Sequence, residues 1–237
     1  MTLQKPLSLL AIALLAGTAL AGCGGGGTPA PTASSASNAP TEDSSKDPFK
    51  APVPESITVP ESAVPFTEVV TDAGEISKLS SAQSSPVPMD GAAVSETLNK
   101  WGKVALDIVA EQSRKPGAHA MNLTFVSTSK TSSEGRATKT TLSFGKNREG
   151  KSIAEPGKYI LETICQAPAP VNFTIVPLAK ETLKPAGFAL KGSCGVNEAV
   201  RMHHSYDTTA PGTAFDAMKV QADQAVPGIL VVTVRPA

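Results

Sequence analysis

Between Gly24 and Ser56 the chain reads GGGGTPAPTASSASNAPTEDSSKDPFKAPVPES, with one aromatic residue and almost no large apolar side chain. Such a stretch cannot bury enough surface to offset its own ordering entropy, so a packed core has to come from the residues after it. It is expected to act as a tether. Its 33 residues, treated as a flexible coil, reach about 30 Å on root-mean-square average. Residues 57–71 (ITVPESAVPFTEVVT) are apolar enough to pack, but Pro60 and Pro65 limit them to an edge strand. Asp72 to Met89 is polar and reads as loop. The expectation is one globular domain over residues 57–237, best defined from residue 90 onward.

The strongest helical pattern runs from Val94 to Ser113. At 100° per residue, Val94, Leu98, Trp101, Val104, Ala105, Ile108 and Val109 fall on one broad face, with Asn99, Lys100, Lys103, Asp107 and Glu111 opposite. Asp90 or Ser95 is the expected cap, and Pro116-Gly117 the stop. A strand over Lys103 to Ala110 is the competing reading, because Val104, Leu106 and Ile108 also alternate. The polar face mixes acids with lysines, which favours burial against a sheet over a helix lying on lipid. Trp101 then reads as a core anchor.

From Ala120 onward strand-like runs dominate. Met121, Leu123 and Phe125 alternate with polar residues; Tyr159, Leu161 and Cys165 oppose Ile160 and Ile164; Val171, Phe173 and Ile175 follow. Phe188 to Leu190 and Glu198 to Tyr206 add further runs. Ile229 to Val234, apolar on both faces, reads as a central strand. Thr213 to Ala222 is expected to hold a short helix presenting Phe215 and Met218. Close turn signals favour antiparallel pairing. The predicted fold is α+β, an antiparallel sheet with one amphipathic helix packed on it; an all-β sandwich is the alternative.

The chain opens MTLQKPLSLLAIALLAGTALAGC. Lys5 gives a short positive start, and the 15 residues from Leu7 to Ala21 carry no charge. A membrane span needs about 20 apolar residues, so this run reads as an export signal over residues 1–22. It ends in Leu20-Ala21-Gly22-Cys23, which resembles the lipobox of bacterial lipoproteins residue by residue. The resemblance covers only these first residues. It implies cleavage before Cys23, a diacylglyceryl group on the Cys23 thiol and a further acyl chain on the new amino group. At about 0.8 kcal/mol per buried methylene, one chain anchors marginally and two or three hold firmly. Gly24 after the cysteine, by the same resemblance, favours the outer membrane in a Gram-negative host. The lipid bilayer is thus an expected partner, and the cell envelope the expected location.

With Cys23 lipidated, Cys165 and Cys194 remain as a pair in an oxidising compartment and are expected to form a disulfide. Two buried thiols or a thiol redox site is the weaker alternative, because the pair is not C-x-x-C.

GKNREGKS, Gly145 to Ser152, has the spacing of a phosphate-binding P-loop. That loop works only when a helix follows it and points its amides at the phosphates. Here Glu155-Pro156-Gly157 interrupts the chain, so the stretch reads as a polar turn between strands, and no nucleotide is expected. Removing the signal takes away Lys5, leaving 20 basic against 21 acidic residues. That balance gives no basic stripe for nucleic acid.

Metal-capable side chains cluster once, at His203, His204 and Asp207; His119 is the only other histidine. On a strand, His203 and His204 point to opposite faces, so they would not share a metal without a bend. No local nucleophile signature accompanies them, and neither a metal nor a cofactor is expected. The functional expectation is therefore a non-catalytic, membrane-anchored module that binds an envelope protein or component, and not an enzyme. The alternative is a small exported hydrolase or metal-binding protein using the His203, His204 and Asp207 region.

Overall fold

A computed structural model of the chain describes residues 47–82, 91–123, 125–126, 139–153, 155–179, 182–210 and 212–237. The signal, Cys23, Asp90 and the start of the tether lie outside these. All described residues belong to one compact unit, Glu42–Ala237. The fold is α+β, as expected, but it is built on two sheets and two helices.

The described strands are β1 (Val64–Pro65), β2 (Glu68–Val70), β3 (His119–Leu123), β4 (Lys139–Ser143), β5 (Lys158–Ala167), β6 (Asn172–Ala179), β7 (Ala189–Ser193), β8 (Gly195–Val196), β9 (Val200–Asp207), β10 (Phe215–Ala222) and β11 (Ile229–Pro236). The first sheet has the order β1-β9-β5-β11-β3, with β8 also pairing β5. The second has the order β2-β7-β6-β10-β4. The long pairings are antiparallel, and only the two-residue strands β1 and β8 pair in parallel. Proline-bearing 57–71 supplies both edges, β1 for one sheet and β2 for the other.

Period-2 alternation decides what lies between the sheets. Leu161 and Cys165 of β5, Leu230, Val232 and Val234 of β11, Phe173 and Ile175 of β6, and Phe215, Met218 and Val220 of β10 share one buried cluster. The sheets therefore pack face to face, which is the sandwich element of the alternative reading. Cys165 and Cys194 are bonded, with Cα atoms 5.0 Å apart. Cys194 sits where the chain leaves β7 of the second sheet for β8 of the first, so the disulfide joins the two layers.

Each sheet also carries a helix outside. Helix α2 (Ala92–Gln112) lays Trp101, Ala105 and Ile108 on Ile164, Ile229 and Val231 of the first sheet. Full burial of each large side chain contributes about 1.5–3 kcal/mol as an upper bound. Leu106 is 58 % exposed, which is incompatible with the competing strand reading. Ser95 lies inside the helix, and Gly91 at its start provides no side-chain cap. Gly117 ends the segment at φ +67°, and a Cβ there would meet the Pro236 ring at 2.8 Å, so a larger residue is excluded twice over.

Two local expectations are corrected. The polar stretch after Asp72 contains helix α1 (Ala73–Ser81), capped by Asp72 Oδ1 accepting from Glu75 N at 2.8 Å. Its few apolar residues, Ile76 and Leu79, suffice because they dock on Val70, Val176 and Leu178 of the second sheet. The short helix expected over Thr213 to Ala222 is instead strand β10, which pairs with both β6 and β4. Two flanking ladders outweigh local propensity there.

The described chain begins at Asp47, inside the stretch read as tether. Phe49, its one aromatic residue, is buried with Leu98 and Val126. From there residues 53–59 run against α2 and the first sheet before feeding β1 and β2.

Candidate functional site

The P-loop look-alike is a turn closed on its own side chain. Asn147 Oδ1 accepts from Glu149 N at 3.0 Å and Lys151 N at 2.8 Å, and Asn147 O accepts from Gly150 N at 2.9 Å. The amides of Asn147, Glu149, Gly150 and Lys151 are spent internally, and the next regular element is strand β5, not a helix.

Strand β9 separates the two histidines as alternation requires. His204 turns towards the space between the sheets and packs on Phe188, ring centroids 5.2 Å apart. Burial, followed by the charge of His203, holds its pKa below the ordinary value. Tyr206, on the same face, stacks on Tyr159 at 5.8 Å and Phe215 at 5.1 Å; burial first, then Tyr159, pushes its hydroxyl well above the ordinary range. Asp207 is spent on the local turn, accepting from Thr209 N at 2.8 Å. His119 on β3 is buried beneath Phe144, with Nδ1 3.1 Å from Gly145 O. Burial lowers its pKa and that carbonyl partly offsets the shift. Among the described residues no three His, Cys, Asp or Glu side chains converge to hold a metal.

His203 faces the other way, onto the outer surface of the first sheet, opposite Glu162 of β5. This surface has two halves. Helix α2 covers the apolar half. The other half carries Glu162, which is only 2 % exposed. Its Oε2 accepts from Arg201 Nη2 at 2.8 Å and its Oε1 from Lys115 Nζ at 3.3 Å. Burial pushes the carboxyl up, but the hydrogen bonds and charges of Arg201 and Lys115 together outweigh it, so the pKa lies below the ordinary value. Arg201 also donates through Nη1 to Glu61 O at 2.7 Å and Pro60 O at 3.3 Å. One buried carboxylate thus ties together the entering chain, the sheet and the segment after α2.

Beside this triad opens a cleft of about 690 Å³. Lys115, Gly117, Glu149, Lys151, Arg201 and Arg235 supply its functional lining. Glu149 Oε1 accepts from Gly117 N at 2.9 Å, and its Oε2 lies 3.6 Å from Lys151 Nζ. The P-loop look-alike therefore contributes two side chains here without adopting a P-loop. Among the described residues, Arg201 Nε, Arg235 Nε, His203 Nδ1 and Thr233 Oγ1 on this half of the face are buried polar atoms without a protein partner. Buried polar atoms are nearly always satisfied, so their clustering marks a place for water or ligand.

The sequence reading missed Glu162, Arg201, Lys115 and Arg235. A signal was present: in Ile160-Leu161-Glu162-Thr163-Ile164, period-2 alternation puts an acid on the same face as two isoleucines, where burial demands a cation.

No family model matches the chain, and no curated protein matches it. Twelve chains of solved structures match, and two of them illustrate how limited the likeness is. One is the enzymatically active domain of tailspike protein 4 from bacteriophage CBA120, at 14% identity and TM-score 0.28, covering 51% of this chain and 19% of that one. The other is the CBM22-1–GH10 modules of the Clostridium thermocellum endo-1,4-beta-D-xylanase 10B complexed with xylohexaose, at 12% identity and TM-score 0.27, covering 51% of this chain and 25% of that one. The chain thus spans a quarter or less of these proteins. The expectation of a non-catalytic module, and of a protein that is not an enzyme, rested on the lack of a catalytic pattern. It is withdrawn: the two structures named above are of enzymes, and the lack of a recognised motif does not exclude catalysis. At these TM-scores the likeness transfers no activity or substrate to this chain.

Proposed function

We propose that this chain is an exported bacterial lipoprotein, acylated at Cys23, which carries its two-sheet domain on a tether above the bilayer. The observation that carries the reading is Leu20-Ala21-Gly22-Cys23 at the end of an uncharged apolar run. The Cys165–Cys194 bond supports it, because structural disulfides persist outside the cytoplasm. In a host with two membranes, Gly24 favours the outer one. The domain's working surface on this reading is the charged cleft on the outer face of the first sheet. Replacing Cys23 with Ala tests the anchor: the full chain fractionates with membranes, and the variant moves to the soluble fraction. A variant that still sediments with membranes contradicts the reading.

A second reading, an exported hydrolase, is favoured by one observation: His203, beside Glu162, has a buried Nδ1 without a partner among the described residues. His204 and Asp207 are committed elsewhere, so His203 is the residue to test. Ester, phosphoester and glycoside hydrolysis by the full chain, lost in His203→Ala, supports it. Activity unchanged in that variant removes it.

A further inference from the structure

We propose that the cleft between Lys115, Lys151, Arg201 and Arg235 is an oxyanion site for a phosphate group on a small organic ligand. Counting side chains, four cations line it against one lining carboxylate, Glu149, with Glu162 buried beneath. The side chains thus carry a surplus of positive charge, set beside the Ala237 main chain that also lines the cleft. The surplus is concentrated on Arg235, which has no acidic partner among the described residues. Its one hydrogen bond, from Nη1 to Pro236 O, is a long 3.4 Å, and its Nε is buried with no acceptor. Arg201 is half committed: both Nη atoms are bonded, yet its Nε is also buried without an acceptor. Both guanidinium groups line one cleft, and Arg235, with a single long hydrogen bond among the described residues, keeps Nη donors for the fork geometry by which Arg holds phosphate. Lys151 adds charge, its contact with Glu149 Oε2 being a long 3.6 Å.

The cleft, at about 690 Å³, falls within the range of small-molecule sites, about 300–1,000 Å³. It has room for more than the phosphate itself. The Glu162 triad supplies rigidity by fixing Lys115 and Arg201 from below, so the donors are held in place before the ligand arrives. A soluble phosphoester and a phospholipid headgroup present the same chemistry. This site does not depend on the anchor at Cys23.

The test is titration of the purified full chain with inorganic phosphate and with glycerol phosphate at low ionic strength, followed by NMR. Saturable binding is expected, with chemical-shift changes at Lys151, Arg201 and Arg235. Arg235→Gln weakens it by about tenfold and leaves the unfolding midpoint unchanged, since Arg235 has no ion pair to lose. Arg235→Lys recovers part of the affinity. Absence of saturable binding to either probe, or equal affinity in Arg235→Gln, overturns the proposal. Vesicles distinguish the two sources, using the Cys23→Ala chain so that acylation does not contribute. Arg235-dependent recruitment to phosphatidylglycerol, and not to phosphatidylcholine alone, makes the ligand a lipid headgroup. Arg235-dependent binding of glycerol phosphate without recruitment makes it soluble.

Discussion

The outer faces of the two sheets are solved differently. On the second sheet, Lys191 sits between Glu68 and Glu75, each at 3.0 Å, at a partly exposed site, and the Lys219 ammonium is bonded to Ser80 O at 3.1 Å. Its main cation is matched, and helix α1 needs only Ile76 and Leu79 to dock. On the first sheet a longer helix covers only part of the face, and the rest holds a buried carboxylate with more cations around it than it can neutralise. Charge that merely completes a surface is paired in place. The surplus beside Glu162 instead lines an open cleft, where a charged ligand would find partners.

Removing the carboxylate gives the largest expected effect. Glu162→Ala leaves Arg201 and Lys115 without their shared acceptor, a loss of about 3–5 kcal/mol in urea unfolding. A loss under about 1 kcal/mol, the range of a surface pair, would make this face equivalent to that of the second sheet. Next comes the link between the layers. Cys165→Ser with Cys194→Ser opens a loop with a sequence separation of 29 residues and costs about 3–4 kcal/mol in the chain-entropy model. Unchanged stability under non-reducing conditions would mean that the sheets pack without the bond.

Acid separates the titrating groups by position. His119 and His204 have folded pKa values below 6.5, chiefly through burial. Their contribution to stability is present above about pH 6.5 and lost as pH falls through the folded values, because the unfolded chain binds the protons more readily. Glu162 also lies below its ordinary value of 4.5, so its contribution is retained through that range and lost only in stronger acid. Urea midpoints are expected to fall between pH 7 and 5 in the parent chain, and less steeply in His119→Gln. A midpoint that rises over that interval contradicts both histidine assignments. The smallest effect belongs to the exposed helix pair Lys100–Glu96, 2.8 Å apart but with both side chains more than half exposed. Glu96→Gln should leave the midpoint within error of the parent.

How far the sequence anticipated this molecule follows from where its signals are local. Strand β11 was legible because five of the six residues from Ile229 to Val234 are apolar, and all six are buried. Helix α2 was legible from its 3.6-residue pattern, and the disulfide from counting cysteines in a chain read as exported. Helix α1 was not, because nine residues with two apolar anchors carry too little periodicity. Strand β10 was misread because Phe215 and Met218 are three apart, which fits a helix, while the break in register between Phe215 and Ala217 hid the alternation. The cleft depends on four segments far apart in the chain: the residues after α2, the turn before β5, and strands β9 and β11. No short pattern encodes their meeting, although Glu162 in an apolar run was a legible half of it.

Where the chain is held is tested most directly by the mass of the N-terminal peptide of protein purified from membranes. The predicted result is a peptide that begins at Cys23 and carries the mass of a diacylglyceryl group, with or without an added acyl chain. A chain that retains Met1, or begins elsewhere with an unmodified Cys23 thiol, contradicts it.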